Sequence, residues 1–161
     1  MLIVMRKKMK HRALLIISLM FIIFLLSPLF IYMWGLSNIK GALIPTSITI
    51  SEKQKTQIWE HAKEYGTTPK VKPITPYGYL AFFYCLTQND IKSTNCAEKY
   101  PGLRITSFAI RNKVRKNLGE NFSNLKWQIT WISYSIWATR NWNIQQILST
   151  YHEEYGNEYG A

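Results

Sequence analysis

The sequence predicts a mainly α-helical protein: one N-terminal transmembrane helix carrying a small α-rich domain. Three observations predict it. Residues 13–34, ALLIISLMFIIFLLSPLFIYMW, are 22 residues without a charge. Downstream, apolar residues recur at helical rather than alternating spacing, as in Leu103, Ile110, Val114 and Leu118. Helix-start signals with glutamine three residues on stand at Ser51-Gln54 and Asn143-Gln146.

At 1.5 Å per residue the uncharged run is roughly 33 Å long, about the thickness of bilayer hydrocarbon. Pro28 can kink such a helix without preventing a span. Arg6, Lys7, Lys8, Lys10 and Arg12 precede it with no acid among them. That asymmetry makes 1–12 a cytoplasmic basic segment and 13–34 the anchor, with Tyr32 and Trp34 in the far aromatic belt. The rivals are a cleaved signal peptide and a buried soluble helix. A signal peptide has a shorter apolar region that ends in small residues, which Ile31–Trp34 does not. In a bacterium everything after Gly35 then faces the periplasm from the inner membrane. Cys85 and Cys96 fit that compartment: paired, they would stabilise the fold by about 3 kcal/mol. The alternative is two buried free thiols. Without nearby histidines they make no zinc site, and no metal or other cofactor is expected.

Residues 35–50 read as a tether that turns extended over Thr46–Ile50. The domain proper is 51–161. Ser51 opens a helix that Gly66 is placed to stop, with an apolar stripe of Ile58, Trp59, Ala62 and Tyr65. Glu60, His61 and Glu64 read as its solvated face rather than as an acid–base or metal site. Thr67–Pro76 is a loop ending in a Thr75-Pro76 helix start. The aromatic helix that follows, from Tyr77 to about Leu86, is expected to pack into the core. Gln88–Pro101 is polar and irregular. Leu103–Leu118 is a helix with one apolar side and one basic side, the latter carrying Arg104, Arg111, Lys113, Arg115 and Lys116.

The stretch from Lys126 to Tyr151 holds four of the six tryptophans. Its first half is apolar on nearly every side, with Leu125, Ile129, Ile132 and Ile136 at helical spacing, so it must be buried. Gln128, Thr130, Ser133, Ser135 and Thr139 argue against a lipid span and for a core helix. Asn143 caps a final helix that buries Ile144, Ile147, Leu148 and Tyr151. His152, Glu153 and Glu154 begin what reads as an exposed acidic tail.

The net charge of +11 includes the five cations ahead of the anchor, leaving 15 basic against nine acidic residues in the rest. That density is below what a dedicated nucleic-acid binder carries, and the compartment is wrong for one. Seven basic residues lie from Lys99 through Lys126, both included. Just outside a membrane the anions available to them are phospholipid head groups, lipid-linked pyrophosphates and anionic polymers. The plain alternative is a solvated basic helix face.

The later segments resemble the glycosyltransferase family 51 domain, the peptidoglycan glycosyltransferase of penicillin-binding proteins. The family's closing pattern, I-E-R-x-[LW]-[ST]-K-x-x-I-L-x-x-Y-L-N, is similar to Ala138–Tyr151, with Arg140, Trp142, Ile147, Leu148 and Tyr151 in register. Its motif G-x-S-T-I-[ST]-Q-Q-x-x-K-N resembles Leu103–Asn112, where Ile105, Thr106 and Asn112 match and Arg111 replaces a lysine. Its I-[ST]-P-x-x-x-x-A resembles Ile74-Thr75-Pro76 with Ala81, and Lys126 stands at R-K-x-x-E. The likeness covers about 74–161.

The resemblance implies a lysozyme-like helical ectodomain hung from one membrane helix. It also implies where catalysis would sit, and there the chain departs from the family. The two glutamate positions fall on Leu86 and Thr130, neither of which can act as a general base. Asp90 is the one candidate substitute if the register slips. The anion-binding half is retained: Thr106, Arg111, Asn112, Lys126 and Arg140 would bind substrate, with Arg111 and Lys126 on the pyrophosphate of a lipid-linked precursor. The expectation is therefore a catalytically impaired binder of lipid-linked cell-wall precursor or of an envelope partner. The alternatives are an active divergent transferase, for which a divalent cation would be implied, and a membrane-tethered accessory or immunity-type interaction protein.

Overall fold

The computed structural model describes residues 2–64, 66–88 and 94–156, which form seven helices and, among the described residues, no strand. The first, α1, runs from Leu2 to Ser37. Its Leu14–Ser37 part is long and apolar enough to cross a membrane once, and its large apolar side chains are exposed. Pro28 lies inside it and removes one backbone donor; the Ser27 hydroxyl donates to the Phe24 carbonyl at 2.8 Å, supplying a bond that carbonyl would otherwise lack.

The centre of the domain is α5 (Leu103–Leu118), α6 (Asn124–Asn141) and α7 (Ile144–Tyr155), with α6 packed between α5 and the end of α1. Helix α5 buries Leu103, Ile110 and Val114, as its period predicts, together with Ile105 and Ala109. In α6 the sequence reading needs correcting. Leu125 is 61% exposed, whereas Thr130, Ser133, Ser135 and Thr139 are buried. These hydroxyls bond to their own helix: Thr130 to Lys126 O, Ser135 to Trp131 O, Thr139 to Ile136 O. Each buried donor is thereby satisfied at little cost, and the small side chains let another helix approach. Gly35 of α1 is that approach; a Cβ there would stand 2.6 Å from Ser133 Cβ and 2.8 Å from the Ile129 carbonyl.

Residues 38–50 are not a free tether. Ile39, Leu43 and Ile50 are buried in the main core. Asn38 Nδ2 donates to Thr130 Oγ1 at 2.9 Å, Thr46 N to Thr150 Oγ1 at 3.0 Å, and Ser149 Oγ to Ile48 O at 2.6 Å. Tyr134 OH donates towards the carbonyls of Leu36 and Gly41. The segment is extended, but side chains of α6 and α7 satisfy its backbone in place of a neighbouring strand. The domain is thus seated directly on its own anchor.

Helix α2 (Glu52–His61) has the Ser51–Gln54 capping box expected of it. It ends before Gly66, at Ala62, where Lys63 takes a positive φ of 52°; the Gly66 carbonyl instead accepts from Trp59 Nε1 at 2.9 Å. Ile58, Trp59 and Ala62 are buried, and Tyr65 lies outside the described residues.

Glu64 is not on a solvated face. Helix α5 starts at Gly102, which has φ +79°, no side chain to cap with, and no room for one, since a Cβ would meet the Lys70 carbonyl at 2.6 Å. Glu64 supplies the cap from about 40 residues away: its carboxylate accepts from Ile105 N at 2.6 Å and Gly102 N at 3.2 Å.

Helix α3 (Pro76–Gln88) starts as predicted, with Gly78 N donating to Thr75 Oγ1 at 3.0 Å. It does not bury its aromatic residues. Only Pro76 is fully buried, and Tyr77, Leu80, Phe83, Tyr84 and Leu86 are all exposed. Tyr79 and Phe82 alone turn inwards, onto Ile74, Leu103 and Ile136. A short helix α4 (Thr94–Lys99) lies in the region expected to be irregular, and Cys96 on it forms a disulfide with Cys85 of α3, Cα–Cα 5.9 Å.

Candidate functional site

The basic side of α5 meets the start of α6. The two helices run antiparallel, with Trp131 Nε1 donating to Ser107 O at 2.7 Å and, one turn on along α5 and one turn back along α6, Arg111 over Trp127. The guanidinium carbon is 5.8 Å from the indole centroid. Trp127 in turn stacks on Trp131 with centroids 5.2 Å apart. A cation over an indole face is worth about 0.5–1 kcal/mol when exposed, so the stack positions Arg111 without consuming its N–H donors. Lys126 is the residue before Trp127, half-buried, with its backbone N–H held by the Ser123 cap at 3.2 Å. The structure therefore sets Arg111, midway along α5, against Trp127, the residue next to Lys126 in the first turn of α6. The ion pairs among the described residues are Lys55–Glu52 and Lys113–Glu153, so neither cation is neutralised by a carboxylate.

The other expected binding residues do not join them. Thr106 is fully buried, its hydroxyl bonded to the Gly102 carbonyl at 2.6 Å. Asn112 is taken by Glu154, Nδ2 to Oε2 2.7 Å, in a cross-link between α5 and α7. Arg140 is exposed near the far end of α6, 14 residues and about 21 Å from Lys126 along the helix axis. Of the two positions where carboxylates would act, Leu86 is 44% exposed on α3 and Thr130 is enclosed between Asn38 and the Lys126 carbonyl. Among the described residues, no acidic side chain is a hydrogen-bond partner of Thr130. Asp90 lies outside the described residues. Among the described residues no three His, Cys, Asp or Glu side chains gather to hold a metal.

Among the described residues, an apolar and a polar cleft stand out. An apolar one of about 190 Å³ lies between α1, α3 and α6, bordered by Pro28, Ile31, Tyr32, Tyr79, Leu80 and Ile136. A polar one of about 310 Å³ lies between α5, α7 and residues 42–44, bordered by Lys113, Lys116, Asn117, Glu153 and Glu154. Neither is lined by Arg111, Lys126 or Arg140. The polar cleft corrects the reading of the C-terminus as an exposed tail from His152 on. Helix α7 continues to Tyr155, and Glu153 accepts from the Thr46 hydroxyl and from Lys113 Nζ. The Thr46 bond, with the charges of Lys113 and Lys116, holds the Glu153 carboxyl below its ordinary range. The signal for this was in the sequence: Tyr155 continues the i, i+4 series Ile147–Tyr151, carrying the helix across the glutamates. Residues 157–161 lie outside the described residues.

No family model matches the chain, no curated protein matches its sequence, and no solved structure matches its fold. The likeness to family 51 and its lysozyme-like shape therefore rests on the sequence motifs alone.

Proposed function

We propose that this chain is a single-pass envelope protein, with its basic N-terminus in the cytoplasm and its helical domain outside the inner membrane. The domain binds the phosphate-bearing head of a lipid-linked cell-wall precursor and does not turn it over. The observation that carries this reading is Arg111 mounted on Trp127, the residue next to Lys126 in α6; among the described residues neither cation has an ion-pair partner. Counting along α6 from Ser133, which touches Gly35, Lys126 stands about 10 Å beyond that glycine. That height suits the head group of a lipid in the bilayer that α1 crosses. The absence of turnover is supported by the surroundings of Thr130, where a hydroxyl bonded to Asn38 and to the backbone stands in place of an acid. The experiment is to give the full-length, detergent-solubilised chain a lipid-linked disaccharide-pentapeptide. Saturable binding with no glycan polymer is expected; processive polymer would establish an active transferase instead.

A second reading, a tethered interaction module, draws on Arg111, which is exposed on the basic side of α5. An exposed arginine beside stacked tryptophans suits the rim of a protein interface as well. In that case the precursor does not bind, and removing the two charges weakens capture of an envelope protein.

A further inference from the structure

We infer that α3 is a second membrane-embedded element, lying in the hydrocarbon of the leaflet on the domain's side, with its exposed aromatic face covered by lipid. The inference starts from depth. The Tyr77 hydroxyl donates to the backbone carbonyl of Leu25 at 2.8 Å. Leu25 lies near the middle of the Leu14–Ser37 span, about 17 Å from either end of it. A membrane crossed by this span therefore surrounds Leu25, and whatever touches Leu25 is at the same depth. For the start of α3 to stand in water, the boundary would have to fall before Leu25. A span of roughly 20 residues ending there would draw Arg6, Lys7, Lys8, Lys10 and Arg12 into hydrocarbon, where cations are strongly disfavoured.

The chemistry of α3 suits that depth. Its 13 residues, PYGYLAFFYCLTQ, carry no charge. Among the described residues outside α1, five of the eight exposed large hydrophobic side chains are on α3: Tyr77, Leu80, Phe83, Tyr84 and Leu86. The other three, Ile44, Ile48 and Leu125, are scattered and need no explanation. Several polar groups at its two ends are satisfied internally, which suits hydrocarbon. Thr75 accepts the first free N–H groups, Gly78 N on its hydroxyl and Tyr79 N on its carbonyl, and the Thr87 hydroxyl donates to the Tyr84 carbonyl at 2.8 Å. The Tyr77 bond to Leu25 does the same for a phenol that would otherwise lack a partner in lipid. The exposed face of α3 continues onto the exposed apolar face of α1, and the apolar cleft between α1, α3 and α6 lies along the same stretch, from Ser27 to Tyr32. A face continuous with a membrane span has the bilayer itself as its occupant.

The test places a nitroxide at Leu80→Cys, Phe83→Cys or Tyr84→Cys, labelled without reductant so that the Cys85–Cys96 bond is kept. The full-length protein is reconstituted into phosphatidylcholine–phosphatidylglycerol vesicles. Ile22→Cys serves as the lipid reference and Leu125→Cys as the aqueous one. All three α3 labels are expected to collide with dissolved oxygen as the Ile22 label does, and to be several-fold less accessible to a water-soluble nickel chelate than the Leu125 label. Nickel accessibility equal to that at Leu125 overturns the inference. So does shielding from both reagents, which would mean that protein covers the face. The references at Ile22 and Leu125 also report that each preparation is inserted and folded.

Discussion

Gly35 and Ser133 touch backbone to side chain, and this contact fixes the domain to its membrane helix. No side chain fits at Gly35: a Cβ would lie within 2.8 Å of the Ile129 carbonyl as well as against Ser133. Gly35→Val should therefore force α1 and α6 apart and destabilise the domain by about 1–3 kcal/mol, the usual range for overpacking. Thermal unfolding of the detergent-solubilised chain measures it. Adding Ser133→Gly to the Gly35→Val variant should recover only part of the loss, because the Ile129 carbonyl stays in place.

Two of the glutamates that hold helices together, Glu64 and Glu153, are shifted in opposite senses. Burial pushes the Glu64 carboxyl above its ordinary value near 4.5, against the lowering effect of the Ile105 and Gly102 amides and of Arg104. With the folded value above the unfolded one, the folded state keeps a proton that the unfolded chain has released. Glu64's contribution is then full at low pH and falls as pH rises from the unfolded value through the folded one. Glu64→Ala should cost more near about pH 4 than near pH 7. Glu153 has its folded value lowered, chiefly by the Thr46 hydroxyl. Its contribution is present above the ordinary value and lost as pH falls, so Glu153→Ala should cost more at neutral pH. Urea unfolding of both variants across that range tests the signs.

The Cys85–Cys96 bond closes a loop of 11 residues' separation between α3 and α4. Restricting so short a loop in the unfolded chain stabilises by about 3 kcal/mol at most. Reduction, or the double substitution Cys85→Ser with Cys96→Ser, should lower the unfolding midpoint by a matching amount while helicity is largely kept, since α5, α6 and α7 pack without α4. Circular dichroism with and without reductant distinguishes this from global collapse.

What was legible in the sequence was local. The capping boxes at Ser51 and Asn143, the Thr75-Pro76 start, the bounds of the Leu103–Leu118 helix and the cysteine pairing each follow from residues a few positions apart. What was not legible joins distant parts of the chain. The Asn38–Thr130 and Thr46–Thr150 bonds span 92 and 104 residues, so 38–50 looked like a tether. Glu64 caps a helix that starts 38 residues later, and nothing around it says so. The aromatic run 77–86 has the composition of a core helix, and periodicity alone does not tell a protein core from lipid. The residues expected to bind substrate divide for the same reason. Arg111 reaches Trp127, the neighbour of Lys126, because α5 and α6 are antiparallel, while Thr106 and Asn112 on the same helix bond to the Gly102 carbonyl and to Glu154.

The central claim is tested most directly by titrating the lipid-linked disaccharide-pentapeptide against the full-length chain and its Arg111→Ala, Lys126→Ala and doubly substituted forms. Hydrogen bonds to a charged group are worth about 1.5–3 kcal/mol each, so each single substitution should weaken binding by roughly ten- to a hundredfold. The double form should bind no better than the weaker single one, and Arg140→Ala, about 21 Å away along α6, should bind like the native chain. Unchanged affinity in the double variant, with its thermal unfolding also unchanged, would contradict the account.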